Sequence, residues 1–156
     1  MRRPAAALAA LVLTAGTAAA CGSGGSDGKE APAGPRLAVS GAYVKEPPMP
    51  DMAAGYFTIA NTGGKADTLT GVTSDIAEHA TVHTTKANGA MAEAGPLAVP
   101  AGGRLVLRTG GYHVMLMDLK RKPRTGDTVT LTLRFATSSP ITVQAPVRPA
   151  SYRPEQ

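Results

Sequence analysis

The chain has 156 residues, a formal net charge of +5 and a single cysteine, so it cannot form a disulfide within itself. Its basic residues are scattered except for the short cluster Lys120–Arg124, and it has only four Tyr, two Phe and no Trp. Binding of single-stranded nucleic acid uses aromatic side chains beside a basic groove. The composition therefore argues against a nucleic-acid partner.

The N-terminus has the order of a secretory signal. A short basic start, Met1–Pro4, precedes a run of mostly apolar residues from Ala5 to Ala20. This run is shorter than the roughly 20 apolar residues that a membrane-spanning helix needs. Charge, apolar stretch and small residues in this order predict a signal peptide over residues 1–20.

The signal ends at the lone cysteine. Ala18, Ala19 and Ala20 directly precede Cys21, which resembles a bacterial lipobox, where the cysteine receives lipid after cleavage. Residues 21–34 comprise this cysteine and a flexible tether, which starts with the Gly- and Ser-rich residues 22–26. This pattern predicts an exported lipoprotein on the outer face of the cytoplasmic membrane. An ordinary signal peptide that leaves a free thiol is the alternative.

Residues 35–147 read as one domain of short strands, and residues 148–156 as a short polar tail. Apolar and polar residues alternate with a period of two, and Gly- and Pro-rich turns lie between the segments. The predicted strands, in chain order, are Leu37–Val44, Ala54–Ala60, Thr68–Thr73, Ala80–Thr84, Leu105–Leu107, Tyr112–Leu119, Asp127–Phe135 and Ile141–Val147. About eight such strands predict an all-β, antiparallel Greek-key sandwich or small barrel.

Histidine and methionine are the side chains in this domain that could bind a soft metal. His113, Met115 and Met117 alternate along one strand, so they share one face. His79 and His83 also lie an even number of residues apart, and Met91 is expected in the loop that follows them. Cys21 is the single cysteine and lies before the domain, so the domain has no thiolate with which to bind a metal.

Side-chain chemistry alone allows two interpretations of these histidines and methionines. Thioether sulfur is soft and uncharged and prefers Cu(I), and imidazole is a borderline ligand that adds strength, so two of each would hold one ion. Alternatively, the methionines fill the core and His113 is a structural histidine.

The segment Gly110–Leu119, with His113-Val114-Met115, resembles the signature of the PCu(A)C copper chaperone family. As in that family, 21 residues separate Met91 from His113. Met52–Gly63 and Gly126–Leu133 resemble other strands of the family. The resemblance implies a cupredoxin-like β-sandwich that binds one Cu(I) through His83, Met91, His113 and Met115.

The first histidine departs from the family pattern. Only seven residues separate His83 from Met91, which is short for the family, whereas eleven separate His79 from Met91. His83 is favoured because the sequence around it resembles the family's strand and because loops shorten more readily than strands shift. His79 and Met117 are kept as alternates.

The resemblance also implies a function. Family members carry Cu(I) outside the cytoplasm and deliver it toward the copper centre of cytochrome c oxidase. The expected partner is therefore an oxidase subunit or an assembly factor that offers thiols. Copper sequestration and a metal-free interaction module are the alternatives. An enzyme is not expected, since Gly24–Gly28 matches a hydrolase motif only within the tether.

Overall fold

A computed structural model describes residues 33–154, which form ten β-strands. The strands are β1 Leu37–Lys45, β2 Met52–Asn61, β3 Asp67–Ser74, β4 Ala77–Thr85, β5 Met91–Glu93, β6 Leu97–Val99, β7 Arg104–Leu107, β8 Tyr112–Leu119, β9 Thr128–Phe135 and β10 Ile141–Arg148. Within this part of the chain, no helix is long and apolar enough to cross a membrane. The predicted signal peptide, Cys21 and most of the tether lie outside the described residues.

The strands form two groups that share a core. One group has the order β5-β4-β8-β2-β1, with β7 also paired to β2, and the other has the order β10-β9-β3-β6. The two groups join where β1 pairs in parallel with β10 at Val44 and Val147; the other pairings are antiparallel. The prediction of an all-β, cupredoxin-like sandwich is confirmed.

The core lies between the two groups of strands. A Cβ atom built on Gly55 of β2 would lie 3.7 Å from side-chain atoms of Leu131 in β9, Val114 in β8 and Val44 in β1. Val114 and Leu116 of β8 are fully buried in this core. Since side chains alternate along a strand, His113, Met115 and Met117 point to the opposite face of β8.

Two short strands were not predicted. β5 and β6 have only three residues each, too few for a period of two to stand out from chance. Met91, which was expected in a loop, is instead the first residue of β5 and pairs with Thr85 of β4. Its backbone position is therefore set by the edge of the sheet.

A buried carboxylate joins the start of β3 to the turn between β9 and β10. The Asp67 oxygens accept hydrogen bonds from the backbone N–H groups of Thr68 at 2.7 Å, Thr137 at 3.1 Å and Ser138 at 2.8 Å. Burial alone would raise the pKa of Asp67, but these hydrogen bonds outweigh it and hold the pKa well below its usual range. The ionised carboxylate therefore stabilises the fold.

We expect Asp67→Asn to lower the free energy of unfolding by about 1–3 kcal/mol at neutral pH, because an amide cannot accept all three N–H groups. The stability from the ionised carboxylate is fully present above about pH 4, the pKa range of an unfolded aspartate, and is lost as the pH falls through the lower folded-state pKa. Urea unfolding across pH should therefore show the gap between wild type and variant narrowing in acid.

Asp118→Asn is the matched control for this substitution. Asp118 is exposed and has φ of 53°, a conformation that asparagine also adopts. We expect a change below about 0.5 kcal/mol. An equal loss in both variants would contradict the role assigned to Asp67.

Candidate metal centre

The pairing of β4, β5 and β8 brings the candidate side chains to one face of the sheet. His83 and His113 are direct Cα partners across β4 and β8, and Thr81 is the partner of Met115. Met91 is the partner of Thr85, two residues beyond His83 on the same face. Four side chains from three strands, His83, Met91, His113 and Met115, therefore lie on one surface.

A cavity of about 390 Å³ lies over this surface, and Met91, His113 and Met115 line it. Tyr56 of β2 also lines the cavity, with its ring 6.5 Å from the His113 ring. Met91 is 60% exposed, whereas His113 is only 5% exposed. Of the predicted ligands that line the cavity, His113 thus offers a buried nitrogen donor and Met91 a sulfur that is accessible from solvent.

His113 is held in one orientation by its own turn. Gly110 has φ of +80° and lies in a turn in which Gly111 N–H donates to the Arg108 carbonyl at 3.0 Å. The Gly111 carbonyl lies 3.0 Å from His113 Nδ1. Since a carbonyl can only accept, Nδ1 carries the proton, and Nε2 of the neutral ring keeps its lone pair for another partner. Metal-binding histidines are commonly oriented in this way.

His83 lies beside the cavity rather than in its wall. Its ring centre is 6.1 Å from that of His113, and its Nε2 lies 2.9 Å from the Thr81 hydroxyl oxygen. The side chain is half-buried. One imidazole thus approaches the other closely enough for a single ion to lie between them, since metal–nitrogen bonds are about 2 Å long.

His79 and Met117, the two alternates, do not line this cavity. They are Cα partners of each other. His79 is four residues from His83 along β4, about 13 Å at the usual rise of a strand. Its Nε2 is 3.9 Å from the Asp118 carboxylate, and both side chains are largely exposed. Three of the predicted ligands line the cavity, and His83 lies next to one of them, His113. Neither alternate lines it.

The two charged side chains that line the cavity, Lys45 and Glu46, each have a partner within the protein. Glu46 accepts hydrogen bonds from the backbone N–H and hydroxyl of Thr125, at 2.9 and 2.5 Å, which lower the pKa of Glu46. Lys45 lies over the Tyr56 ring, with Nζ 5.7 Å from its centre, and desolvation lowers the pKa of Lys45. Across residues 33–154, no group of three or more His, Cys, Asp or Glu is arranged to hold a metal. The potential metal donors that set this cavity apart are therefore the thioether sulfurs of its methionines.

Two methionines of this cavity were not singled out from the sequence. Met49 and Met52 line it together with Met91 and Met115. Neither belongs to the His-x-Met segment, and Met49 lies between Pro48 and Pro50 in a loop without periodicity. The only sequence signal was that five of the six methionines lie in the predicted domain.

The chain is similar to a family of proteins and to several solved structures. Residues 37–147 match the family model described as "Putative lipoprotein LpqE-like". The chain belongs to the LpqE-like family. "Putative lipoprotein Lxx21020" from Leifsonia xyli subsp. xyli is 39% identical over 114 residues, which are 70% of this chain and 68% of that relative. A lipoprotein is exported and attached to a membrane by its lipid, in agreement with the predicted anchor.

Solved structures of PCuAC domains share the fold of this LpqE-like protein. The Cu(I) form of DR1885 from Deinococcus radiodurans is 30% identical, covers 78% of this chain and 83% of its own, and has a TM-score of 0.60. The apo PCuAC domain from PmoF1 is 27% identical, covers 72% of this chain and 93% of its own, and has a TM-score of 0.65. The resemblance to the PCu(A)C family is confirmed.

The hydrogen bond at His113 predicts a single tautomer. In the metal-free protein at mildly alkaline pH, nitrogen-resolved NMR of the imidazole rings should show His113 with the proton on Nδ1 and a bare Nε2. The Asp118 carboxylate lies 3.9 Å from His79 Nε2, so this ring should instead favour the tautomer with the proton on Nε2. A proton on His113 Nε2 would contradict the assigned orientation.

Proposed function

We propose that this LpqE-like protein is an exported copper chaperone that binds one Cu(I) per domain and passes it on by ligand exchange. The observation that carries the proposal is the convergence of Met91, His113 and Met115 on one cavity, with the His83 ring 6.1 Å from that of His113. The ligands would be these four side chains.

The donor chemistry favours Cu(I) over divalent ions. Two thioethers and two neutral imidazoles carry no charge, so they offset little of the charge of a divalent cation. The nearby Glu46 carboxylate is held by Thr125, and the Lys45 ammonium lies at the same cavity. A positive neighbour disfavours higher ionic charge. The Cu(I) form of the related DR1885 supports the same choice of ion.

Each ligand would be held with a different rigidity. His113 is fixed by Gly111, and Met115 follows two residues later on the same strand. Met91 belongs to a three-residue edge strand and is 60% exposed. Exchange would therefore begin at Met91, which an incoming ligand can replace while the two β8 side chains still hold the ion.

The transfer needs no electron and no enzyme chemistry. A thiolate of the acceptor forms a bond to Cu(I) as the bond to Met91 breaks, and the ion remains monovalent throughout. Thiolates bind soft metals more strongly than thioethers do, so the exchange runs toward the acceptor. We propose that this acceptor is a cytochrome c oxidase subunit or a thiol-containing assembly factor, reached from a lipid anchor at Cys21 on the outer face of the cytoplasmic membrane.

Met115→Leu should weaken Cu(I) binding by at least roughly tenfold, the scale of loss seen even when groups behind metal ligands are changed. Leucine retains the apolar bulk and removes the sulfur, so the fold should persist. Anaerobic competition with a coloured Cu(I) chelator measures the affinity, and thermal unfolding of the metal-free protein checks the fold.

Two control variants accompany this measurement. Met117→Leu makes the same chemical change two residues along the same face, and His79→Gln removes the alternate histidine; neither side chain lines the cavity. We expect both to bind Cu(I) as the wild type does. Unchanged affinity in Met115→Leu, or a matching loss in the controls, would refute the proposed ligand set.

Delivery and sequestration differ in what the cell loses without the protein. If the protein delivers copper, deletion of its gene should lower cytochrome c oxidase activity at limiting copper, and added copper should restore it. Re-expression of wild type, but not of Met115→Leu, should also restore it. Normal oxidase activity combined with sensitivity to excess copper would instead establish sequestration and reject delivery.

A further inference from the structure

The exposed apolar side chains of this protein are concentrated at one place. Across residues 33–154, five large hydrophobic side chains are exposed, and three of them are methionines that line the same cavity. They are Met49, 53% exposed, Met52, 40% exposed, and Met91, 60% exposed. Only Met91 belongs to the proposed ligand set, so Met49 and Met52 lack a role in binding or in the core.

The loop that carries Met49 is fixed to the rest of the fold. Glu46 N–H donates to the Arg148 carbonyl at 2.8 Å, and the Glu46 carboxylate accepts from Thr125. Lys122 Nζ donates to the Pro48 carbonyl at 3.3 Å. Pro47, Pro48 and Pro50 restrict the remaining backbone. The loop therefore presents Met49 to solvent from a constrained backbone.

Met52 lies between this loop and the proposed copper site. It is the first residue of β2 and the Cα partner of Met117, while Ala54 is the partner of Met115. Met52 and Met115 are thus diagonal neighbours on one face, about 7–8 Å apart at the backbone. Flexible methionine side chains can bridge such a distance. The cavity is therefore lined by the thioethers of Met49 and Met52 as well as by those of Met91 and Met115.

We propose that Met49 and Met52 form a thioether relay that holds Cu(I) transiently as it enters or leaves the site. This inference rests on the proposed function and adds a path for the ion. At each step one Cu–S bond forms as another breaks, so the ion stays monovalent and no proton moves. Thioethers suit this role because they are neutral and bind soft metals without the strength of thiolates.

A relay changes the rate of transfer without changing the equilibrium. In the double variant Met49→Leu/Met52→Leu, leucine keeps the apolar bulk at both positions and removes the two sulfurs. We expect the Cu(I) affinity to stay within about twofold of wild type and the transfer rate to fall roughly tenfold. The affinity is measured by anaerobic competition with bicinchoninate, and the rate by stopped-flow mixing of the Cu(I)-loaded protein with excess bicinchoninate.

A second double variant separates sulfur chemistry from apolar contact. Met49→Ser/Met52→Ser removes both the sulfur and the apolar surface, and it should slow transfer to the same degree as the leucine variant. A normal rate with leucine but a slow rate with serine would overturn the relay, because an apolar contact would then be the cause. Met117 pairs with Met52 but does not line the cavity, so Met117→Leu should transfer copper at the wild-type rate.

The remaining outcomes distinguish failure of the relay from failure of the function. An unchanged rate in the leucine variant, with normal Cu(I) binding, overturns the relay alone. A loss of affinity as large as that of Met115→Leu makes Met49 or Met52 a resident ligand and also overturns the relay. If the wild-type protein fails to bind Cu(I), both the proposed function and the relay are refuted.

Discussion

The alternation of side chains along β8 is the constraint on which fold and site both depend. Val114 and Leu116 are completely buried between the two groups of strands, and this burial fixes which way His113 and Met115 point. A register slip of one residue would move both potential ligands into the core and expose the valine and leucine. The hydrophobic effect that stabilises the sandwich therefore also orients the donors, so the site needs no separate scaffold.

Strand β8 is the part of the site whose side-chain directions the sequence predicted correctly. The period of two in Tyr112–Leu119 was sufficient to place His113 and Met115 on one face, and the alternating pattern of β9 was equally clear. The resemblance to the PCu(A)C family then supplied the fold type and the expected metal. The shared face of His113 and Met115 could be predicted because a half-buried strand alternates apolar and polar residues along its own sequence.

Features that arise from pairing between distant segments could not be predicted in this way. His79 and His83 both have even spacing, and only the register against β8 distinguishes the neighbour of His113 from the neighbour of Met117. β5 is too short to show a pattern, so the backbone position of Met91 depends on its pairing with β4. Met49 and Met52 join the cavity through tertiary contacts of a proline-rich loop.

In the proposed site, imidazole and thioether groups from β4, β5 and β8 share one monovalent copper ion. Anaerobic titration of the purified protein with Cu(I), followed by X-ray absorption at the copper edge, counts these ligands. We expect saturation at one ion, with two sulfur and two nitrogen neighbours. A shell of nitrogen and oxygen without sulfur, or no saturable binding, would contradict it.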